Sequence, residues 1–193
     1  MFDIETKRKQ QNIERNKKLI EEYPFLMPRN VFTDEVSPTY DYSYILGLDD
    51  LPKGWGKLFL QMCEDLKKQL IKDNYLEQFR FLQIKEKYNR MECYNNGCSE
   101  EAYRILDKYT HMARYVCTCC GKPAYWETQS YIASYCEQCW KDWGRHEPSE
   151  VIKPTFQYRI IRDVGDKKEY KTISFLREWN RYIKEQVGEK END

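Results

Sequence analysis

The stretch "CTCCGKPAYWETQSYIASYCEQC", residues 117 to 139, decides how this chain is read, because it holds five of the eight cysteines. Cys117 and Cys120 enclose two residues, as do Cys136 and Cys139, and residues 121 to 135 separate the pairs. That spacing lies in the range of a four-cysteine zinc site. Two residues between cysteines form a tight knuckle, which lets both sulfurs reach one ion at about 2.3 Å. Gly121 directly follows Cys120. Glycine tolerates the sharp backbone turn that aims N–H groups at the thiolates. The residues between the pairs are the right length for a short hairpin returning to the same metal. The expectation is a zinc ribbon over residues 116 to 140, with Cys117, Cys120, Cys136 and Cys139 as ligands and Zn2+ in a structural role. Four cysteines fill the coordination shell, whereas catalytic zinc keeps a position for water. A redox centre would instead need one exposed, acidified CxxC in a strand–helix context.

The other thiols fall outside this set. A pairing of Cys119 with Cys136 would lack the two-residue knuckle and would place no glycine after it, so Cys119 is a bystander. Cys93 and Cys98 flank the "NNG" turn at 95 to 97 and raise the possibility of a second half-site. No second pair of ligands remains for them, and they read as one thiol on a strand face and one at a helix start. Cys63 lies on the apolar face of a helix and reads as core.

Composition sets the bounds. The chain has 193 residues, enough for one domain with an appendage, and its formal net charge is zero. A neutral chain of pI about 6.7 is not a uniformly basic nucleic-acid glove. Mean hydropathy is −0.91, so sixteen tyrosines and five tryptophans must supply much of the core. No apolar run approaches the roughly 20 residues of a membrane span. The first residues, "MFDIETKRKQ", have no signal-peptide pattern. The expected location is the cytoplasm, where thiols stay reduced and clustered cysteines favour metal over disulfides.

Upstream, residues 4 to 22 read as a basic helical arm with a thin apolar face of Ile13, Leu19 and Ile20. Pro24, Pro28, Pro38 and Pro52 exclude continuous helix between 23 and 53. Within that segment the alternation of Tyr40, Tyr42 and Tyr44 predicts an extended piece. Trp55, Phe59, Met62, Cys63, Leu66 and Leu70 recur at helical spacing, leaving Asp65, Lys68 and Lys72 outward. "QFRFLQIKEKYNRMECY" (78 to 94) changes to alternation and predicts two strands joined near "KYNR". Ser99, followed by Glu100 and Glu101, predicts a capped helix start. That helix carries Ala102, Ile105, Leu106, Tyr109, Met112 and Ala113 on one face. Downstream of the ribbon, "FQYRII" and "KEYKTI" flank Gly165–Asp166 as a second hairpin. A last helix presents Phe175, Leu176, Trp179, Tyr182 and Ile183, and Gly188 is its stop. The fold class is therefore α+β: small antiparallel hairpins, several packed helices and an embedded four-cysteine zinc ribbon. Residues 1–22 form an arm and 23–193 one domain.

For chemistry, the two histidines, His111 and His146, make no recognisable catalytic set. His146 is followed by Glu147 and Pro148, so the H-x-E of zinc deaminases is lacking, as are H-E-x-x-H, a P-loop and G-x-S-x-G. On the ribbon, Tyr125, Trp126 and Tyr131 stand among Lys122, Arg114, Lys141 and Arg145. Aromatics among cations stack bases and hold phosphates. The same residues equally serve to pack a ribbon on its own body. Trp140 and Trp143 read as wedges between ribbon and core.

The motifs "LIEEYPFLMPRN" (19 to 30), Gly54–Trp55, "QMCEDL" (61 to 66), "QIKEK" (83 to 87) and the CxxCG ribbon are together similar to an uncharacterised family of phage, prophage and mobile-element proteins of Firmicutes. The resemblance spans roughly residues 19 to 140. It departs at Asn89 and Arg90, where the family has two glycines, at Met91 for leucine and at Glu92 for arginine. No activity comes with it. It implies an accessory mobile-element protein in a host cytoplasm, one that binds and blocks a host defence complex. The leading expectation is a non-enzymatic binding protein with a protein partner. The alternative is a nucleic-acid-binding regulator using the ribbon face and the basic arm.

Overall fold

Trp55, Phe59, Met62, Cys63, Leu66 and Leu70 are all fully buried, and their helical spacing makes one stripe that organises the body. The stripe belongs to α2 (Gly56–Lys72), entered through a single 3-10 turn at Lys53–Trp55. This computed structural model describes residues 2–129, 131–143, 150–152, 155–164 and 167–188. Before α2 comes α1 (Phe2–Glu22), whose second half docks through buried Ile20. Asn16, midway along α1, is also buried and donates its amide N–H to the Tyr42 carbonyl at 2.7 Å.

The predicted hairpin is β1 (Phe81–Lys87) paired antiparallel with β2 (Arg90–Asn95). Its turn residues Tyr88 and Asn89 both have positive φ, 52° and 59°, as a two-residue turn matched to strand twist requires. α3 (Glu100–Ala113) starts at the expected Ser99 cap, whose side chain accepts the Ala102 N–H. α3 packs on α2 and on β2. The ribbon follows with β3 (Trp126–Glu127), β4 (Ser134–Tyr135) and α4 (Glu137–Asp142). A third strand, β5 (Glu150–Val151), joins β3 on its other edge, which the sequence did not signal. β6 (Gln157–Val164) and β7 (Lys167–Ser174) form the second hairpin, with its Gly165–Asp166 turn outside the described residues. The chain's last described element, α5 (Leu176–Gly188), lays Trp179 and Tyr182 into the main core. The class is α+β, and among the described residues no helix is long and apolar enough to cross a membrane.

Three sequence expectations change. Residues 40 to 44 are not a strand: Tyr42 has φ 62°, which folds the segment so that the Tyr40 and Tyr42 rings meet at 4.9 Å. Leu176 is exposed, because α5 turns its Trp179 and Tyr182 side inward, beside the buried Phe175 that precedes it. Asp65 is not a free outward acid. It accepts the Tyr109 hydroxyl at 2.6 Å and both ends of the Arg181 guanidinium at 2.9 and 2.6 Å. The Arg181 guanidinium also donates to the Tyr109 oxygen at 2.6 Å, so one three-residue network ties α2, α3 and α5 together.

That network predicts unequal effects at two basic residues. Arg181→Ala leaves a half-buried carboxylate without its fork and is expected to cost about 1–2 kcal/mol, since charged hydrogen bonds are the stronger kind but exposure screens this one. Lys68→Ala removes an exposed pair with Glu64 one helical turn away and is expected to cost under about 0.5 kcal/mol. Urea denaturation of both variants checks the difference, and equal midpoints would refute the role given to the network.

Candidate metal centre

The four cysteine sulfurs are brought together by two short backbone devices. In the first, the Gly121 N–H donates to the Cys117 carbonyl at 3.0 Å and the Cys117 N–H to the Lys122 carbonyl at 2.8 Å, closing the knuckle. Gly121 has φ +78°, the left-handed conformation that favours glycine, as its position after Cys120 anticipated. In the second, Cys136 is the N-cap of α4, and its sulfur accepts the Cys139 N–H at 3.5 Å. The knuckles are joined across β4, where the Ser134 carbonyl accepts both the N–H and the hydroxyl of Thr118 at 2.9 and 3.0 Å.

The sulfurs of Cys117, Cys120, Cys136 and Cys139 all lie within 4.8 Å of one another, with Cys120 and Cys136 3.6 Å apart. A tetrahedron with metal–sulfur bonds of about 2.3 Å has edges of roughly 3.8 Å. A disulfide would need about 2.05 Å. The donors therefore fit one tetrahedral ion. Electrostatics agree. Burial opposes ionisation of Cys117, but backbone N–H groups of Cys136, Cys120 and Cys119 aim at its sulfur and bring its pKa below the usual thiol value. Cys120 is pushed up to about 11, first by burial and then by the charge of Cys117, and Cys139 is pushed up by burial and its sulfur neighbours. A sulfur cluster that resists carrying several negative charges by itself is one that a divalent cation completes.

The first knuckle does not stand alone on the surface. The Gly54 N–H donates to the Thr118 carbonyl at 2.9 Å, and the Trp55 indole N–H to the Val116 carbonyl at 3.1 Å. From the other side the buried Tyr182 hydroxyl donates to the Gly121 carbonyl at 2.6 Å. A Cβ placed on Gly54 would meet the Cys117 carbonyl oxygen at 2.0 Å and the Gly121 nitrogen at 2.7 Å. The entry to α2, the knuckle and α5 are thus in backbone-level contact.

A second anchor holds the hairpin of the ribbon. The Asn89 side-chain amide donates to Ser134 Oγ at 2.5 Å and to a Glu127 carboxylate oxygen at 3.2 Å. Ser134 Oγ donates onward to the Arg114 carbonyl, and the Arg114 guanidinium forks onto Glu127 at 2.7 and 2.9 Å. Asn89, Glu127 and Ser134 are all buried. Gly54, Tyr182, Asn89 and Ser134 were not assigned to the site by sequence. The only signals were the Gly54–Trp55 dipeptide and the asparagine in the β1–β2 turn.

The remaining expected residues separate. Cys119 is half-buried, packs against the ribbon's own small core of Ala133, Tyr135 and Trp140, and stands outside the four-sulfur group. Cys93 and Cys98 pack on the main core, and burial pushes both thiols up. His111 stacks on Tyr158 at 4.1 Å, while His146 lies outside the described residues. Trp140 and Trp143 are not wedges between ribbon and core. Trp140 is buried inside the ribbon, 6.1 Å from Trp126 and 5.9 Å from Tyr135, and Trp143 is 59% exposed beyond it. The short α4 turns both rings towards β4 instead of towards α2.

Of the proposed binding residues, Lys122 and Tyr125 share an open cleft of about 450 Å³ with Lys141 beside the second knuckle. Trp126 meets Tyr125 edge-on at 4.7 Å and is half-buried. Tyr131 is exposed elsewhere, its hydroxyl donating to Glu86 of β1 at 3.3 Å. Arg114 is engaged with Glu127, and Arg145 lies outside the described residues. No family model, curated protein or solved structure matches the chain.

Proposed function

We propose that the protein is a zinc-binding accessory protein of a mobile element, with the ion in a structural role, and that it acts by binding another protein. The observation that carries this reading is the closed four-sulfur cluster, which supplies every donor a tetrahedral ion needs and leaves no position for water or substrate. Soft thiolate donors in this geometry suit zinc and disfavour hard cations. The mobile-element origin rests on the motif resemblance, from which a host defence complex is the target to test first.

A protein partner is supported by the loop after the first 3-10 turn of the chain, at Pro24–Leu26. There Phe32 is 94% exposed and Val31 54%. The Asn30 side chain accepts the N–H groups of Phe32 and Thr33, and the Asn30 carbonyl accepts the Asp34 N–H, so the turn is ordered before any partner arrives. An exposed ring on a pre-ordered turn gives up little entropy on binding. Affinity capture from the host cell with the unaltered chain and with Phe32→Ser tests this. One protein held stoichiometrically by the unaltered chain, and at least about tenfold less by Phe32→Ser, is expected from loss of an anchoring ring. Capture of no specific protein would overturn the reading.

A second reading, a nucleic-acid-binding regulator, rests on the cleft of Lys122, Tyr125 and Lys141. It is the weaker one, since Lys141 is paired with Glu137 at 2.7 Å. Binding of mixed DNA and RNA that disappears in Lys122→Glu would favour it over the protein partner.

A further inference from the structure

A different face carries an unbalanced charge. Between α2 and α5 lies a cavity of about 320 Å³ into which Lys68, Lys72, Arg177 and Arg181 all reach. Along α5 an open groove of about 530 Å³ shares Arg177 and Arg181 with it and adds Lys184. Two acids line the cavity, but both are already committed. Asp65 is held by Arg181 and Tyr109, and Glu178 is held by Lys108 at 2.7 Å and is only 16% exposed. Lys68 is paired with Glu64. Lys72, Arg177 and Lys184 have no ion pair among the described residues, and all three are exposed. Their positions are not accidental to the fold: Arg177, Arg181 and Lys184 repeat at four and three residues along α5, and Lys68 and Lys72 at four along α2, so both helices turn cations to one cleft.

We propose that this cleft binds phosphate groups. Two unmatched cations, Lys72 and Arg177, line the cavity, and a third, Lys184, continues them along the adjoining groove. Such a row suits a multiply charged anion better than a single carboxylate, and the guanidinium fork of Arg177 matches phosphate oxygens. A protein segment is the poorer fit. Interfaces between proteins anchor on apolar and aromatic side chains, and here the lining offers no aromatic ring and only Ile105 in the cavity and Leu176 in the groove as apolar residues. The site stands apart from the ribbon cleft and from Phe32, so it does not depend on the protein-partner reading. Phosphate presented by a nucleic-acid strand and phosphate presented by a small molecule would meet the same cations.

The test uses the full zinc-loaded chain, a fluorescein-labelled 12-nucleotide single-stranded DNA and its RNA counterpart, and pyrophosphate as competitor. Fluorescence anisotropy is followed across a salt series. About three phosphate contacts predict a slope of log K against log salt near −2 to −3. The double variant Arg177→Glu, Lys184→Glu is expected to weaken binding at least tenfold and to flatten the slope by about 1–2. Lys122→Glu, on the ribbon, is expected to change neither. Circular dichroism and zinc content verify that the variants are folded. Competition by pyrophosphate supports a site for free phosphate compounds, and binding of the strands without such competition supports a strand backbone. The proposal is overturned if no probe binds, if binding survives the double charge reversal, if Lys122→Glu abolishes it instead, or if polyglutamate competes as well as the phosphate probes.

Discussion

Gly54→Ala is expected to destabilise the protein by about 3 kcal/mol or more, the upper end of what overpacking costs, and to lower its affinity for zinc at the same time. The new methyl would stand 2.0 Å from the Cys117 carbonyl oxygen and 2.8 Å from the Thr118 carbonyl carbon. All of these neighbours are backbone, so no rotamer change relieves the clash. The knuckle must move away from α2, and with it Cys117 and Cys120. It would also pull on the 2.6 Å hydrogen bond from Tyr182 to Gly121, so α5 shares the strain. For a chain of this size, 3 kcal/mol corresponds to a fall of roughly 6–12 °C in Tm. Gly56→Ala is the matched control. Its Cβ would meet only a Leu48 methyl at 3.6 Å, an ordinary contact, and the site is helical. Alanine there is expected to be neutral or stabilising by up to about 1 kcal/mol. Two glycines two residues apart thus carry opposite predictions. Thermal melts followed by metal analysis decide them, and a neutral Gly54→Ala would disprove the interlock.

Cys120→Ser is expected to lose most of the bound zinc, while Cys119→Ser keeps about one ion per chain. Metal content of the purified variants checks this directly, and full occupancy in both would remove Cys120 from the ligand set. The consequence of losing the ion is expected to be large but regional. A structural zinc site couples roughly 10–16 kcal/mol of apparent binding energy to folding, as much as the whole stability of an ordinary domain. Among the described residues the ribbon's own buried apolar core is Ala133, Tyr135 and Trp140, with Trp126, Cys119 and Cys139 packed against it, too small to hold β3, β4 and α4 without the metal. Among the described residues, the body's core around Trp55, Phe25, Phe59 and Phe79 takes no side chain from residues 117 to 140. Chelation should therefore red-shift the fluorescence of Trp126 and Trp140 while most helical circular dichroism persists. Complete loss of the helical signal on chelation would instead place the ribbon within the cooperative core.

The elements that sequence reasoning placed well are those stabilised by near neighbours in the chain. The α2 stripe, the Ser99 cap with Glu100 and Glu101, and the two hairpins each follow from side-chain period or from a local hydrogen bond. The misreadings fall where distant partners override period. Tyr40 to Tyr44 alternate like a strand, but among the described residues no second strand pairs with them, and a left-handed Tyr42 folds its ring onto that of Tyr40. Trp143 has the spacing of a wedge, yet α4 is six residues long and ends before it can bring that ring to the body. Asp65 looked solvated because a helical wheel cannot show that Tyr109 and Arg181 arrive from α3 and α5.

The candidate site divides along the same line. By itself the sequence determined the donor set: two-residue knuckles and the glycine after the first of them are local geometry, so Cys117, Cys120, Cys136 and Cys139 separate from Cys93, Cys98 and Cys119 by spacing alone. Tertiary structure alone decided what the cluster is fastened to. Gly54 and Tyr182 clamp the knuckle from 63 residues before Cys117 and 61 residues after Gly121, and Asn89 reaches Ser134 across 45. It also decided that cations from α2 and α5 share a cleft in which Asp65 is held by Arg181 and Tyr109, and Glu178 by Lys108. Such contacts leave no period in a chain, because backbone approach and ion pairing depend on which surfaces the fold brings within a few ångströms, and helical or strand spacing encodes only a residue's own face.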